Sequence, residues 1–190
     1  MKKVTVTFAA ILFFLGTAIA QDDNSAKHNV SIDIPTIAIL DIEDADGEAA
    51  SISLEPNIDV LEAGDAVSFT GATDNSLWLN YTSVVTDGAT RTVSAKISSG
   101  ASTLPEGISL VLSVAGASNG KGTLGTAVSG DITLGASNET IVNNIGSCYT
   151  ENGATNGHNL TYKVAMDNDE FASLVATNYT VEVTYTITDN

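Results

Sequence analysis

The chain has 190 residues, with 23 acidic against 7 basic side chains, a formal net charge of −16 and one cysteine. That charge repels phosphate backbones and anionic lipid, which disfavours nucleic acid and acidic membrane surfaces as partners. With Cys148 alone, no intramolecular disulfide can form, so packing has to hold the fold together and the thiol reads as a small buried apolar group.

Residues 1–20 read as a signal peptide. Lys2 and Lys3 precede an apolar run from Val4 to Leu15, and Ala18-Ile19-Ala20 forms a small-x-small cleavage motif before Gln21. The run is too short to span a bilayer comfortably, and no later stretch is long and apolar enough, so the chain is not expected to be a transmembrane protein. The expectation is export to the cell surface, the periplasm or the medium. Residues 21–27 then form a polar arm, and residues 28–190 form one β domain.

Val30, Ile32 and Ile34 share one phase, as do Ala38, Leu40 and Ile42, with Pro35 between the two runs. Proline lacks a ladder donor, so this predicts a first strand in two parts, His28 to Ile34 and Thr36 to Ile42. An acidic turn follows at Glu43 to Glu48, then short strands at Ser51 to Leu54 and Ala66 to Thr70. Ser76 to Val85 reads as a central strand with Trp78 as a core anchor. Asp87-Gly88 is a turn signal, and the alternation from Thr90 to Ser98 makes Ser76 to Ser98 a predicted hairpin.

Ile108 to Val114 alternates cleanly, whereas Ala115 to Gly130, rich in small residues, reads as a long loop or a weak hairpin. Ile132 to Leu134 and Glu139 to Ile145 are short strands, and Leu160 to Met166 is a further one. Asp167 to Ala176 predicts a single helical turn capped by Asp167. Tyr179 to Asn190 alternates Tyr179, Val181, Val183, Tyr185 and Ile187 against threonines and Glu182, the pattern of a half-buried strand. With no amphipathic helix of three turns, the whole predicts an all-β fold, a single antiparallel sandwich that is immunoglobulin-like in the broad sense.

Candidate chemistry is sparse. Asp41, Glu43, Asp44, Asp46 and Glu48 could offer oxygen ligands to calcium, but aligning Gly47 with the glycine of an EF-hand loop puts Ile42 at the first ligand position. Asp167, Asn168, Asp169 and Glu170 are a second group of the same kind. Gly120-Lys121-Gly122-Thr123-Leu124-Gly125 matches a dinucleotide fingerprint in letters only, since no helix start follows it. His28 and His158 are the only imidazoles and lie in no catalytic motif, so no enzymatic activity is expected. Trp78, Tyr81 and Tyr149 are the candidates for a glycan platform if exposed. Asn29, Asn80, Asn138, Asn159 and Asn178 begin N-x-[ST] sequons, which chance alone explains in so Asn- and Thr-rich a chain.

The runs Ile37-Ala38-Ile39-Leu40-Asp41-Ile42-Glu43, Leu77-Trp78-Leu79-Asn80-Tyr81-Thr82, Ile145-Gly146-Ser147-Cys148-Tyr149-Thr150, Gly157-His158-Asn159-Leu160-Thr161-Tyr162 and Thr184-Tyr185-Thr186-Ile187-Thr188 resemble those of small exported β-sandwich proteins of Bacteroidota-like Gram-negative bacteria. More distantly the layout is similar to fimbrial subunits and WxL-type surface domains, though Leu77-Trp78-Leu79 is not Trp-x-Leu and no penultimate aromatic ends the chain. The resemblance implies a surface structural or adhesion module, pilin-like, whose partners are copies of itself or other surface subunits joined by strand addition. A module binding a glycan or another envelope component, calcium-dependent in one version, is the alternative expectation.

Overall fold

A computed structural model describes residues 24–47, 51–98 and 104–190; the predicted signal peptide lies outside them. The chain divides into two compact units, Met1–Ile34 and Pro35–Asn190, and the β structure belongs to the second. Its strands are β1 (Ile37–Glu43), β2 (Thr73–Val84), β3 (Arg91–Ile97), β4 (Ile108–Val114), β5 (Lys121–Ala127), β6 (Ile132–Thr133), β7 (Glu139–Tyr149), β8 (His158–Met166) and β9 (Val183–Asp189). Asn168–Ser173 forms a short 3-10 helix, and Asp167 caps it by accepting from the amide of Asp169, as the sequence predicts.

Every strand pairing is antiparallel, in the order β6-β4-β8-β2-β7-β3-β9, with β1 added to β2 and β5 added to β7. One edge of β7 takes β3 along Arg91–Ala95 and then β2 at Ser83 and Thr82. Both oppose β7, so β2 and β3 run the same way and lie end to end. By the same reasoning β7 continues into β8 along β2, where Tyr149 faces Thr82 and His158 faces Leu79. β4 continues into β5 alongside them, with Val114 facing Leu160 and Lys121 facing Tyr149. Three long strands are thus interrupted at one level, by residues 85–90, 115–120 and 150–157.

The network folds over along that line. In a flat sheet Tyr162 on β8, facing Asp74, and Tyr185 on β9, facing Ala95, would lie at opposite ends of the β2–β3 line, on the order of 50 Å apart. Yet the hydroxyls of Tyr162 on β8 and Tyr185 on β9 are hydrogen-bonded. The amide of Ile97 on β3 likewise donates to Gly135, just past β6, at 2.7 Å. Long strands that cross from one layer to the other through a break are a recognised way to make the corner of a β-sandwich. The enclosed core takes Leu77, Leu79 and Tyr81 from β2, Val93 and Ala95 from β3, Leu110, Leu112 and Val114 from β4, Ile141, Val142 and Ile145 from β7, and Leu160 and Tyr162 from β8. Val183, Tyr185 and Ile187 of β9 pack against it half-buried.

The all-β antiparallel sandwich is as expected, but several elements differ. Asp87-Gly88 makes a local turn, with Ala89 donating to Thr86 at 3.0 Å, but no hairpin: β3 leaves that turn in the direction of β2 and pairs with β7 and β9. The small-residue stretch after Ala115 contains a strand, β5. Its period is broken by Gly122 and Gly125, which take positive φ and let its backbone lie against β7. A Cβ at Gly122 would sit 2.2 Å from the Ser147 carbonyl oxygen. Residues 51–54 and 66–70 are in no ladder among the described residues, although Ile52 and Leu54 pack against the core. Trp78 lies on the face of β2 opposite Leu77 and Leu79 and is half-buried outside the core, because the strand's odd positions take the inner face. The first half of the predicted first strand, His28 to Ile34, is in no ladder.

Arg91, only 4% exposed, sits on the fold line. Its Nη1 donates to the carbonyl of Ile37, to Ser83 Oγ at 3.1 Å and to the Val84 carbonyl at 3.3 Å, while Nε donates to Asp189 Oδ1 at 2.6 Å. One guanidinium therefore joins β1, β2, β3 and β9. Arg91→Ala strands several part-buried acceptors at once and is expected to cost about 3 kcal/mol, since each unsatisfied group costs about 1–3 kcal/mol. Asp189 has an 80% exposed side chain, so water can take its place at Nε, and Asp189→Ala should cost less than Arg91→Ala. Urea denaturation of the two variants checks the ranking; equal losses would contradict it.

Candidate functional site

The polar pair with the most chemical character is Tyr81–His158. His158 is fully buried because β8 begins on the inner face of the sandwich, directly across from Leu79. Gly157, at φ +68, lets the chain enter there: a Cβ would lie 2.2 Å from the Leu79 carbonyl oxygen. His158 Nδ1 is 2.8 Å from the Ala115 carbonyl, an acceptor, so Nδ1 carries the proton in the neutral ring. Nε2 is 2.8 Å from the Tyr81 hydroxyl, which also reaches the Leu124 carbonyl. The two rings stack with centroids 5.6 Å apart.

Burial sets the electrostatics. It holds His158 below its ordinary value against the opposing effect of the Ala115 and Leu124 carbonyls. It raises the Tyr81 phenol, with a further contribution from Cys148. A neutral imidazole and a protonated phenol, both spent on internal partners, offer neither an accessible base nor a nucleophile to a solute. What the pair does is structural: Ala115 and Leu124 flank the break between β4 and β5, and the pair ties both to β2 and β8.

The neighbouring polar groups are also engaged internally. Asn80 accepts from the amide of Gly153 at 2.7 Å and donates to the Asn156 carbonyl at 2.8 Å, fastening the 150–157 segment over β2. Thr150, fully buried, accepts from the amide of Tyr81 at 2.9 Å. Tyr162 is pushed up to about 12 by burial, partly offset by its bond to Tyr185, whose own phenol burial raises further. Cys148 is a buried free thiol raised by desolvation, in keeping with its reading as a small core residue.

Of the calcium candidates, Asp41 Oδ1 accepts from the amide of Ile42 and Asp44 Oδ1 from that of Asp46, both at 2.8 Å. Glu43 is 5% exposed at the end of β1, and its Oε2 has no hydrogen-bond partner among the described residues. Glu48 lies outside those residues. Among the described residues no group of three or more His, Cys, Asp or Glu is placed to hold a metal ion. At the second candidate, Asp167 is occupied as the helix cap. The glycine-rich fingerprint forms strand β5 with no helix after it, so the phosphate-binding geometry of that motif is not built. Of the aromatic candidates, Tyr81 is in the core, Trp78 is half-buried and Tyr149 is 43% exposed.

The unspent groups lie elsewhere. Val30, Ile32 and Ile34 are 73%, 81% and 72% exposed in a segment without ladder partners among the described residues. Among the described residues β1 pairs with β2 alone, β5 with β7 alone and β9 with β3 alone, so each presents one open edge. Sequence reading marked the arm's alternation, but pairing partners are not written in a period of two.

The fold defines an all-β protein of the antiparallel sandwich class, and no helix among the described residues is long and apolar enough to cross a membrane. Comparison with protein-family models, with curated proteins and with solved structures finds no match.

The lowered His158 value makes a signed prediction. The unfolded chain takes up this proton near 6.5 and the folded chain only at lower pH, so the neutral ring's contribution is complete above about 6.5 and declines as pH falls from there. At pH 8 the wild type should melt above His158→Gln, and the gap should narrow by pH 5. A gap that stays constant across that range would remove His158 as the cause.

Proposed function

We propose that the protein is a non-enzymatic structural or adhesion module of the cell surface that joins copies of itself by strand addition through residues 28–34. One observation carries this reading: the alternating row Val30, Ile32 and Ile34 stands exposed in a segment that has the pattern of a strand and no ladder partner among the described residues. Burying each such side chain stabilises by about 1.5–3 kcal/mol, so an exposed row of three is costly to leave in water. At physiological salt, where the screening length is about 8 Å, repulsion between acidic groups of two copies is largely confined to those close to the junction. The resemblance to exported surface subunits, and the signal-like residues 1–20, support the same compartment.

Velocity sedimentation of the full chain tests it. The wild type should self-associate with rising concentration. Ile32→Asp, which removes one buried side chain and introduces a charge, should weaken association by about 30-fold or more, equivalent to about 2 kcal/mol. A wild type that stays monomeric, or an Ile32→Asp variant that associates equally well, sinks the reading.

A further inference from the structure

We infer that the edge receiving the arm of a second copy is the open edge of β9, a choice that rests on the strand-addition reading above. The register of β9 on β3 shows which of its backbone groups are free. Ser98 donates to the Glu182 carbonyl at 2.7 Å and Asn190 to the Thr90 carbonyl at 3.0 Å, and the intervening partners run in step from Ile97↔Val183 to Arg91↔Asp189. In an antiparallel ladder, bonded and non-bonded pairs alternate. Thr184, Thr186 and Thr188 therefore turn their amides and carbonyls toward β3, and Val183, Tyr185, Ile187 and Asp189 turn theirs outward.

The other open edges are poorer receivers. β6 has two residues, and β5 is bent by Gly122 at φ +91 and Gly125 at φ +79. β1 has the length, but the row facing away from the core carries the exposed Asp41, which would meet Asp33 of an incoming arm. β9 presents seven residues, matching His28 to Ile34 in length. Its outer row, Thr184, Thr186 and Thr188, is neutral and hydrogen-bonding, suited to Asn29, Ser31 and Asp33. Its inner row, Val183, Tyr185 and Ile187, is only half-buried against the core, and Val30, Ile32 and Ile34 would extend that apolar layer by one strand.

Amide hydrogen exchange on the full chain, at low and high protein concentration, reads this residue by residue. The outward amides of Val183, Tyr185 and Ile187 should gain at least tenfold protection on association, while those of Thr184, Thr186 and Thr188 are protected throughout. Association without that gain overturns the β9 edge and leaves strand addition standing. Protection of the outward amides at every concentration would mean a contact within one copy, and loss of protection at the threonines would mean that β9 is displaced; either overturns the inference. A chain that never associates overturns both readings. As a second arm, Thr184→Glu with Thr186→Glu should weaken association at least tenfold, and adding Asp33→Lys should restore it; no weakening in a variant of wild-type melting temperature counts against β9.

Discussion

The arrangement depends on one buried cation. Arg91 stands where β2 passes into β3 and where the end of β9 meets the start of β1, and its guanidinium is bonded to all of these segments. A buried guanidinium is tolerated only when its donors find acceptors in its own plane. Here those acceptors come from β1, β2 and β9, so the demand ties three strands to β3 at the fold line. On the neighbouring strands, Tyr81 and His158 do the equivalent for the break between β4 and β5, with neutral groups in place of a charge. Polar side chains therefore pin the fold line, and the two layers on either side are apolar.

This division of labour bears on function. His158, Tyr81, Tyr162 and Tyr185 are turned inward and hydrogen-bonded, and Cys148 is buried. Among the described residues, backbone at strand edges and the alternating row Val30, Ile32 and Ile34 stay open. Those are the elements from which intermolecular sheets are made, and proteins that do not use them shorten, bend or charge their edges. β5 is bent and β6 is short, as if guarded, whereas β9 is regular, neutral on its outer row and seven residues long.

Much of the strand list was legible, because a half-buried strand writes its period into its sequence. Ile108–Val114 forms β4 over its predicted span, and the strands at His158–Met166 and Val183–Asp189 appear within a few residues of expectation. The misreadings share a cause. Asp87-Gly88 has the letters of a hairpin turn, but whether a chain reverses or continues depends on the strand waiting beside it, here β7. The glycines of β5 read as loop because close backbone approach removes the side chains that would have shown a period. Tyr81 and Trp78 are three residues apart on one strand, and only the phase of burial decided that the tyrosine enters the core while the tryptophan stays outside it. Arg91 and His158 had no motif to announce them, since their partners lie at separations of 7 to 98 residues.

The amino-acid sequence by itself determined that this is an acidic all-β chain without a disulfide staple, and which faces of most of its strands are apolar, because composition and a period of two are local properties. The tertiary structure alone decided which strands pair, where the network folds over, and that His28 to Ile34 is in no ladder among the described residues. Pairing is a competition among segments far apart in the chain. β9 has the edge of β3, and the arm, with the same alternation of apolar side chains, is left exposed.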